Sequence, residues 1–150
     1  MAVSAQRRDG ESSGAPGPWP TAAAPGARVL VMDDDQAVLQ TASFLLSKAG
    51  FEVTGVEDGA RAVAEHESAR ASGRPYDVLI LDLTVPAGMG GEEAMRRIRA
   101  TDKSVKAIIS SGYTSEAAVS RYADFGFDSV VTKPYCFQDL VSAVNRLLPG

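Results

Sequence analysis

Val29-Leu30-Val31-Met32-Asp33-Asp34-Asp35 is an apolar run that ends in three consecutive acids. The apolar part predicts a buried strand, so the acids stand at its carboxyl end. A second apolar run, Val78-Leu79-Ile80-Leu81, ends in Asp82, and a third, Val130-Val131, leads into Thr132-Lys133-Pro134. Carboxylates gathered at strand ends repel one another, and a cation among them relieves that repulsion. These runs therefore predict a cation site at one edge of a sheet, completed by a lysine that suits a phosphate-like charge.

Outward from these runs, the chain alternates between strand patterns and helix patterns. Strands are predicted over residues 28–32, 52–56, 77–82, 105–110 and 128–132. Helices are predicted over 38–49, 59–70, 91–100, 114–125 and 137–148. Helical spacing of apolar residues indicates them, thinly over 59–70, and the helix over 91–100 is indicated by the pairs Glu92–Arg96 and Glu93–Arg97. Such alternation predicts an α/β fold of the flavodoxin-like (βα)5 type, a doubly wound parallel sheet of five strands with helices on both faces. The second strand contributes nothing comparable to this set of polar residues, which suits an edge position and the strand order 2-1-3-4-5.

Composition narrows the class of protein. The chain has 150 residues, 45% of them hydrophobic, which is enough for one domain with a core, placed at residues 28–148. The net charge of −4 argues against a nucleic-acid partner, and nothing in the sequence predicts a membrane partner. The single cysteine, Cys136, excludes an intramolecular disulfide and fits a reducing, cytoplasmic compartment. Residues 1–27, rich in Gly, Pro and Ala, predict a disordered tail.

The polar residues near the strand ends divide into ligands and structural groups. Carboxylate oxygens are the ligands that Mg²⁺ prefers, and Asp33, Asp34 and Asp82 supply them. Asp35 is predicted to cap the following helix, because one cap needs only one acid. His66 lies on the helix with the thinnest apolar stripe and is predicted to be a solvated residue of that helix.

Four segments stand in order along the chain. They are VLVMDDD at 29–35, LDLTVP at 81–86 with Gly90 and Glu92, ISSGY at 109–113, and TKPY at 132–135. Each segment alone is a weak signal, but the four together at this spacing are specific. They resemble the receiver domain of two-component response regulators, the CheY-like superfamily. The resemblance covers residues 28–148, and the stretch from Pro86 to Glu92 looks most like receivers of hybrid histidine kinases.

The resemblance implies a phosphoacceptor of a two-component or phosphorelay system rather than an enzyme acting on other substrates. Asp82 would accept the phosphoryl group from a histidine kinase phosphohistidine. Lys133 would contact the acceptor carboxylate and then a phosphoryl oxygen, and Ser111 would donate a hydrogen bond to another phosphoryl oxygen. A metal and a lysine neutralise the charge of the transferring group. The residues that would hold Mg²⁺ are Asp33, Asp34, Asp82 and, through its carbonyl, Thr84.

The resemblance also implies partners, and the chain departs from the family in two places. The implied partners are a cognate histidine kinase or phosphotransfer protein, and a second copy of the chain through the face formed by residues 114–148. Val130 stands where many receivers carry an aromatic residue that rotates inward, so aromatic switching at this position is not expected. Met89 replaces an acid often found just before Gly90.

Two other classes of function share the strand-end acids. A Mg²⁺-dependent phosphohydrolase with an aspartate nucleophile wants a second acid two residues later, and here that residue is Thr84. A flavin-binding module of the same strand order would not need three acids beside the flavin phosphate. The sequence therefore favours the signalling phosphoacceptor and keeps the phosphohydrolase as the alternative.

Overall fold

The chain forms a parallel β-sheet in a computed structural model. The structure describes residues 21–83, 85–86, 88–112 and 121–149. Its strands are β1 (Arg28–Met32), β2 (Glu52–Val56), β3 (Val78–Asp82), β4 (Lys106–Ser111) and β5 (Ser129–Thr132). The strand order is β2-β1-β3-β4-β5, and every pairing is parallel. The five predicted strands and their predicted order are confirmed, with bounds that move by one residue at most.

Four helices connect and cover the strands in the described part of the chain. They are α1 (Gln36–Ala49), α2 (Gly59–Ala71), α3 (Gly91–Thr101) and α4 (Phe137–Leu147). The helix predicted over 114–125 falls largely on residues outside the described ranges, and a 3₁₀ helix covers Tyr122–Phe125. Among the described residues, no helix is both long and apolar enough to cross a membrane.

The core has two apolar layers, one on each face of the sheet. Strand side chains alternate between the faces, so Val31 faces α1 and α4 while Leu30 faces α2 and α3. The first layer joins Leu46 of α1 to Leu140 of α4, and the second contains Met95 of α3. Because both faces are covered, β1 from Val29 and β3 from Val78 are apolar up to the positions where the acids begin.

Local capping signals set the bounds of α1. The Asp35 carboxylate accepts hydrogen bonds from the amides of Ala37 and Val38, which confirms its predicted capping role. At the other end Gly50 adopts φ of 114°, a left-handed conformation that favours glycine, and its amide reaches the Leu46 and Ser47 carbonyls. The chain therefore leaves the acid triplet directly into a helix.

His66 is buried, so the prediction of a solvated histidine is wrong. It lies on the inner face of α2 with Ala62 and Ala69, at a helical spacing of small residues that packs α2 closely against α3. Its Nε2 lies 3.0 Å from Oδ2 of Asp102, at the end of α3. The ion pair or hydrogen bond with Asp102 supplies the polar partner that allows a histidine in this layer.

Residues 21–27 contact the domain, which differs from the disordered tail predicted for residues 1–27. The Ala22 amide donates to the Ala49 carbonyl at 2.9 Å, and the Ala22 side chain is buried. The Asn145 side chain of α4 accepts from the Ala23 amide and donates to the Thr21 carbonyl. Small alanines fit against the ends of α1 and α4, and backbone hydrogen bonds hold them there. Residues 1–20 are outside the described ranges, so a disordered tail stays a prediction for them.

Candidate functional site

Three carboxylates meet where β1 and β3 end. Asp82 is the last residue of β3, and Asp33 and Asp34 follow β1. Since β1 and β3 are neighbours in parallel register, their carboxyl ends lie side by side. Ligand oxygens of the three residues all lie within 4.8 Å of one another. This spacing fits a cation bound among the three side chains, and oxygen donors suit a hard cation such as Mg²⁺.

The three carboxylates differ in burial and in what already holds them. Asp33 is fully buried and Asp82 is 4% exposed, whereas Asp34 is exposed. One oxygen of Asp33 accepts from the Asp35 amide at 2.9 Å, which fixes its orientation. Asp33 therefore belongs to the floor of the site, and Asp34 belongs to its open side.

Lys133 supplies a positive charge to the buried pair of acids. Its Nζ lies 2.9 Å from Oδ2 of Asp33 and 3.4 Å from Oδ1 of Asp82. Burial alone would lower the pKa of Lys133, but the hydrogen bond to Asp33 and the charges of Asp82 and Asp33 raise that pKa above its ordinary value. Lys133 is therefore an ammonium at neutral pH. Three carboxylates facing this ammonium leave net negative charge, which a divalent cation would balance.

The end of β5 carries Lys133 into the site. Ser111 and Thr132 are partners in the β4–β5 register, and the next residue's amide, that of Lys133, donates to the Ser111 carbonyl at 2.8 Å. The ladder therefore extends one residue past the strand and fixes the backbone from which the lysine side chain reaches the acids. This is a consequence of parallel strand order, because β5 and β3 both flank β4.

Two buried serines end β4 beside the acids. Ser110 is the register partner of Asp82, and Ser111 follows it. The Ser110 Oγ lies 2.6 Å from the Tyr135 hydroxyl. The resemblance implies a site role for Ser111 and none for Ser110 or Tyr135. The only signal available was a second hydroxyl at the end of an apolar strand.

Gly90 and Gly91 bring α3 against the end of β3. A Cβ built on Gly91 would lie 2.6 Å from the Asp82 carbonyl oxygen, and one on Gly90 would lie 2.6 Å from the Leu83 carbonyl oxygen. Real Cβ atoms do not approach backbone oxygens so closely, so side chains at these positions would push the helix away. The glycines thus set the backbone around Asp82. Gly90 belongs to one of the motifs in the sequence, but the sequence alone does not indicate this close approach.

The structure brings most of the predicted site residues together. Asp33, Asp34, Asp82 and Lys133 meet at one sheet edge, and Ser111 ends the neighbouring strand. Thr84 lies outside the described residues, so its carbonyl ligand stays a prediction.

The two residues that depart from the family pattern lie in the same apolar layer. Val130 is partly buried against the layer of α2 and α3. Met89 is partly buried in the same layer, and its carbonyl accepts from the Gly59 amide at 2.7 Å. Met89 therefore ties the loop before α3 to the start of α2.

Comparison with known proteins gives matches to one family. The family model of the response regulator receiver domain matches residues 29–145. The sensory transduction protein RegX3 of Mycobacterium tuberculosis is 36% identical over 120 residues, which are 80% of this chain and 50% of that protein. The chemotaxis protein CheY of Thermotoga maritima is 28% identical over 123 residues, 81% of this chain and 98% of that protein. The chain thus spans about half the length of RegX3 and nearly all of CheY.

Solved structures agree with the sequence matches. The chemotaxis protein CheY4 of Vibrio cholerae is 29% identical with a TM-score of 0.74, covering 82% of this chain and 99% of that one. The response regulator TrrA of Thermotoga maritima, solved in complex with Mg²⁺–BeF, is 29% identical with a TM-score of 0.71, covering 81% of this chain and 99% of that one. The chain therefore belongs to the response regulator receiver domain family, the receiver domains of two-component signalling systems.

Proposed function

We propose that Asp82 is the phosphoacceptor of this receiver domain and that a histidine kinase phosphohistidine is the donor. The observation that carries the proposal is the place of Asp82, at the end of the central strand β3, beside Asp33 and 3.4 Å from the Lys133 ammonium. The Lys133 ammonium is therefore close enough to the Asp82 carboxylate to neutralise charge on the incoming phosphoryl oxygens. Asp34 is exposed and lies on the open side, where a metal ion can reach it from solvent.

The acid cluster fits Mg²⁺ through the chemistry of its donors. Asp34 and Asp82 would bind the ion directly and Asp33 at least partly through water, because Asp33 already accepts from Lys133 and the Asp35 amide. The Thr84 carbonyl would be a further ligand. When bound, Mg²⁺ neutralises charge on the phosphoryl oxygens. TrrA, a protein of the same fold, was solved in complex with Mg²⁺–BeF, which supports Mg²⁺ as the ion of this site.

The protein side chains would carry out the transfer as follows. A carboxylate oxygen of Asp82 attacks phosphorus, the P–N bond of the phosphohistidine breaks, and the released imidazole takes up a proton. Lys133 moves its hydrogen bond from the Asp82 carboxylate to a phosphoryl oxygen, and Ser111 donates a hydrogen bond to another. Positioning and charge neutralisation account for most catalysis of this reaction type.

Labelling with a small-molecule donor tests the assignment. The wild-type chain, incubated with Mg²⁺ and acetyl phosphate, should gain the mass of one phosphoryl group, and Asp82→Asn should gain none. Asp139→Asn, an exposed acid in the first turn of α4, is the matched control and should label like wild type. Equal labelling of Asp82→Asn and wild type would overturn the assignment.

The partners and the setting of the domain follow from the same proposal. A cognate histidine kinase or phosphotransfer protein would deliver the phosphoryl group in the cytoplasm. A second copy would dock on the face of residues 114–148, of which 114–120 lie outside the described residues. The finer likeness of Pro86–Glu92 to hybrid-kinase receivers stays a prediction. A Mg²⁺-dependent phosphohydrolase is the weaker reading, because the family match favours a receiver.

A further inference from the structure

A pair of hydrogen-bonded hydroxyl groups, one on a buried serine and one on a partly buried tyrosine, lies next to the site and has no part in the mechanism above. Ser110 is fully buried on β4, opposite Asp82 in the register, and Tyr135 lies two residues after Lys133. Their hydroxyl oxygens are 2.6 Å apart. Tyr135 packs on the layer of α1 and α4, the face to which Ser110 and Ile108 point by strand alternation.

Packing alone does not require these two hydroxyls. Ser110→Ala and Tyr135→Phe would keep most of the apolar contacts, whereas a hydroxyl withdrawn from water must find a partner to offset its loss of hydration. Burial raises the pKa of Tyr135, the hydrogen bond with Ser110 lowers it in part, and the charges of Asp33 and Asp82 raise it further. The Tyr135 hydroxyl is therefore protonated at neutral pH and within electrostatic reach of both carboxylates.

The hydroxyl pair fastens the segment that carries Lys133. The Lys133 amide donates to the Ser111 carbonyl, and two residues later the Tyr135 side chain bonds to Ser110. The segment 133–135 is thus bonded to two successive residues of β4. The Lys133 backbone bonds to Ser111, and the Tyr135 side chain bonds to Ser110. The Lys133 ammonium extends from this doubly attached segment to Asp33 and Asp82.

We infer that Tyr135, through its hydrogen bond to Ser110, is a positioning residue that holds Lys133 in place for phosphoryl transfer to Asp82. The inference rests on the proposed function. Loss of the hydroxyl would let residues 133–135 shift relative to β4, so that the ammonium meets the phosphoryl oxygens less often. Asp34, on the open side of the site, is not attached to this segment, so metal binding should be preserved.

Phosphorylation rates of matched variants test the role. With acetyl phosphate at saturating Mg²⁺, Tyr135→Phe and Ser110→Ala should each label about three- to tenfold more slowly than wild type, in line with one hydrogen bond. The double variant should be no slower than either single variant, because both remove the same bond. Ser110→Thr keeps a hydroxyl and should label within about twofold of wild type. The control is Tyr122→Phe, in the layer of α2 and α3, which should leave the rate unchanged.

A comparison in a Lys133→Met background separates positioning from a general structural effect. If Tyr135 acts through Lys133, Tyr135→Phe should not slow labelling further in that background, and Mg²⁺ affinity should stay at the level of the parent protein. A persisting three- to tenfold loss there, or Tyr135→Phe labelling as fast as wild type, would overturn the inference while Asp82 remained the acceptor. Failure of wild type itself to label would instead overturn the proposed function.

Discussion

Replacing Lys133 by methionine tests the electrostatics of the site through the stability of the protein. The change removes the ammonium that lies 2.9 Å from Asp33 and 3.4 Å from Asp82, and it keeps a side chain of similar length. Breaking a fully buried ion pair by removing one partner costs about 3–5 kcal/mol. Lys133 is 18% exposed, so solvent screens the acids in part, and we expect a loss of about 2–3 kcal/mol in the free energy of unfolding without Mg²⁺.

The pH at which this loss is measured follows from the direction of the pKa shift. A lysine whose pKa is raised in the folded state contributes stability that is fully present below its ordinary pKa of 10.5 and disappears only as pH rises through the folded value. The whole difference in the free energy of unfolding between wild type and Lys133→Met is therefore present at pH 7. It should shrink when both proteins are measured above the ordinary lysine pKa.

Added Mg²⁺ should restore more stability to the variant than to wild type. A ligand that binds only the folded state adds about 2.7 kcal/mol at a hundredfold excess over its Kd. Without the ammonium beside Asp33 and Asp82, the ion meets less repulsion, and each tenfold gain in affinity adds about 1.4 kcal/mol. We therefore expect the gap between the two proteins to narrow by about 1 kcal/mol at millimolar Mg²⁺.

Urea unfolding with and without Mg²⁺ measures both effects. Lys103→Met, which replaces an exposed lysine in the turn after α3, is the matched control and should unfold like wild type in both buffers. Equal free energies of unfolding for Lys133→Met and wild type without Mg²⁺ would show that the Lys133 ammonium does not stabilise the fold. An equal gain in the free energy of unfolding on adding Mg²⁺ to the two proteins would show that the ammonium does not repel the bound ion.

Two further predictions concern the surroundings of the site. Gly91→Ala should lower the free energy of unfolding by about 1–3 kcal/mol, because the added Cβ would lie 2.6 Å from the Asp82 carbonyl oxygen. Gly112→Ala is the control, because a Cβ at that position would meet Lys133 at an ordinary 3.9 Å. Equal losses for the two variants in urea unfolding would show that the close approach at Gly91 is not responsible. Burial alone would raise the pKa of Asp102, but hydrogen bonds from the Ser104 amide and from His66 bring it down to about 2, so its stabilisation is present above pH 3.8 and is lost as pH falls toward 2. Asp102→Asn should therefore be less stable than wild type at pH 6, by about 1–2 kcal/mol, with the difference shrinking below pH 4, and a difference independent of pH would show that the charge is not responsible.

The fold could be predicted because its signals are local. β1 and β3 are apolar runs that lead into acids, β5 leads into Lys133, and parallel order gathers these strand ends at one edge of the sheet. The pairing of Asp82 with the residues after β1 and with Lys133 follows from that rule. The bounds of α1 were equally readable, since an acid begins the helix and Gly50 ends it.

What the sequence did not reveal depends on contacts between elements that are distant in the chain. His66 lies among small residues at helical spacing, but nothing in α2 alone shows that Asp102 of another helix will pair with it. The Ser110–Tyr135 bond likewise joins a strand to a segment 25 residues later. Residues 21–27 have the composition of a loop, and only the ends of α1 and α4 give them hydrogen-bond partners.

Direct identification of the phosphorylated residue tests the central claim. Borohydride reduces an aspartyl phosphate to homoserine, so treatment of the labelled protein, followed by tandem mass spectrometry, reads the acceptor by its position in the sequence. We expect homoserine at position 82 and intact aspartate at positions 33 and 34. Homoserine at 33 or 34, or a labelled protein with aspartate retained at 82, would contradict it.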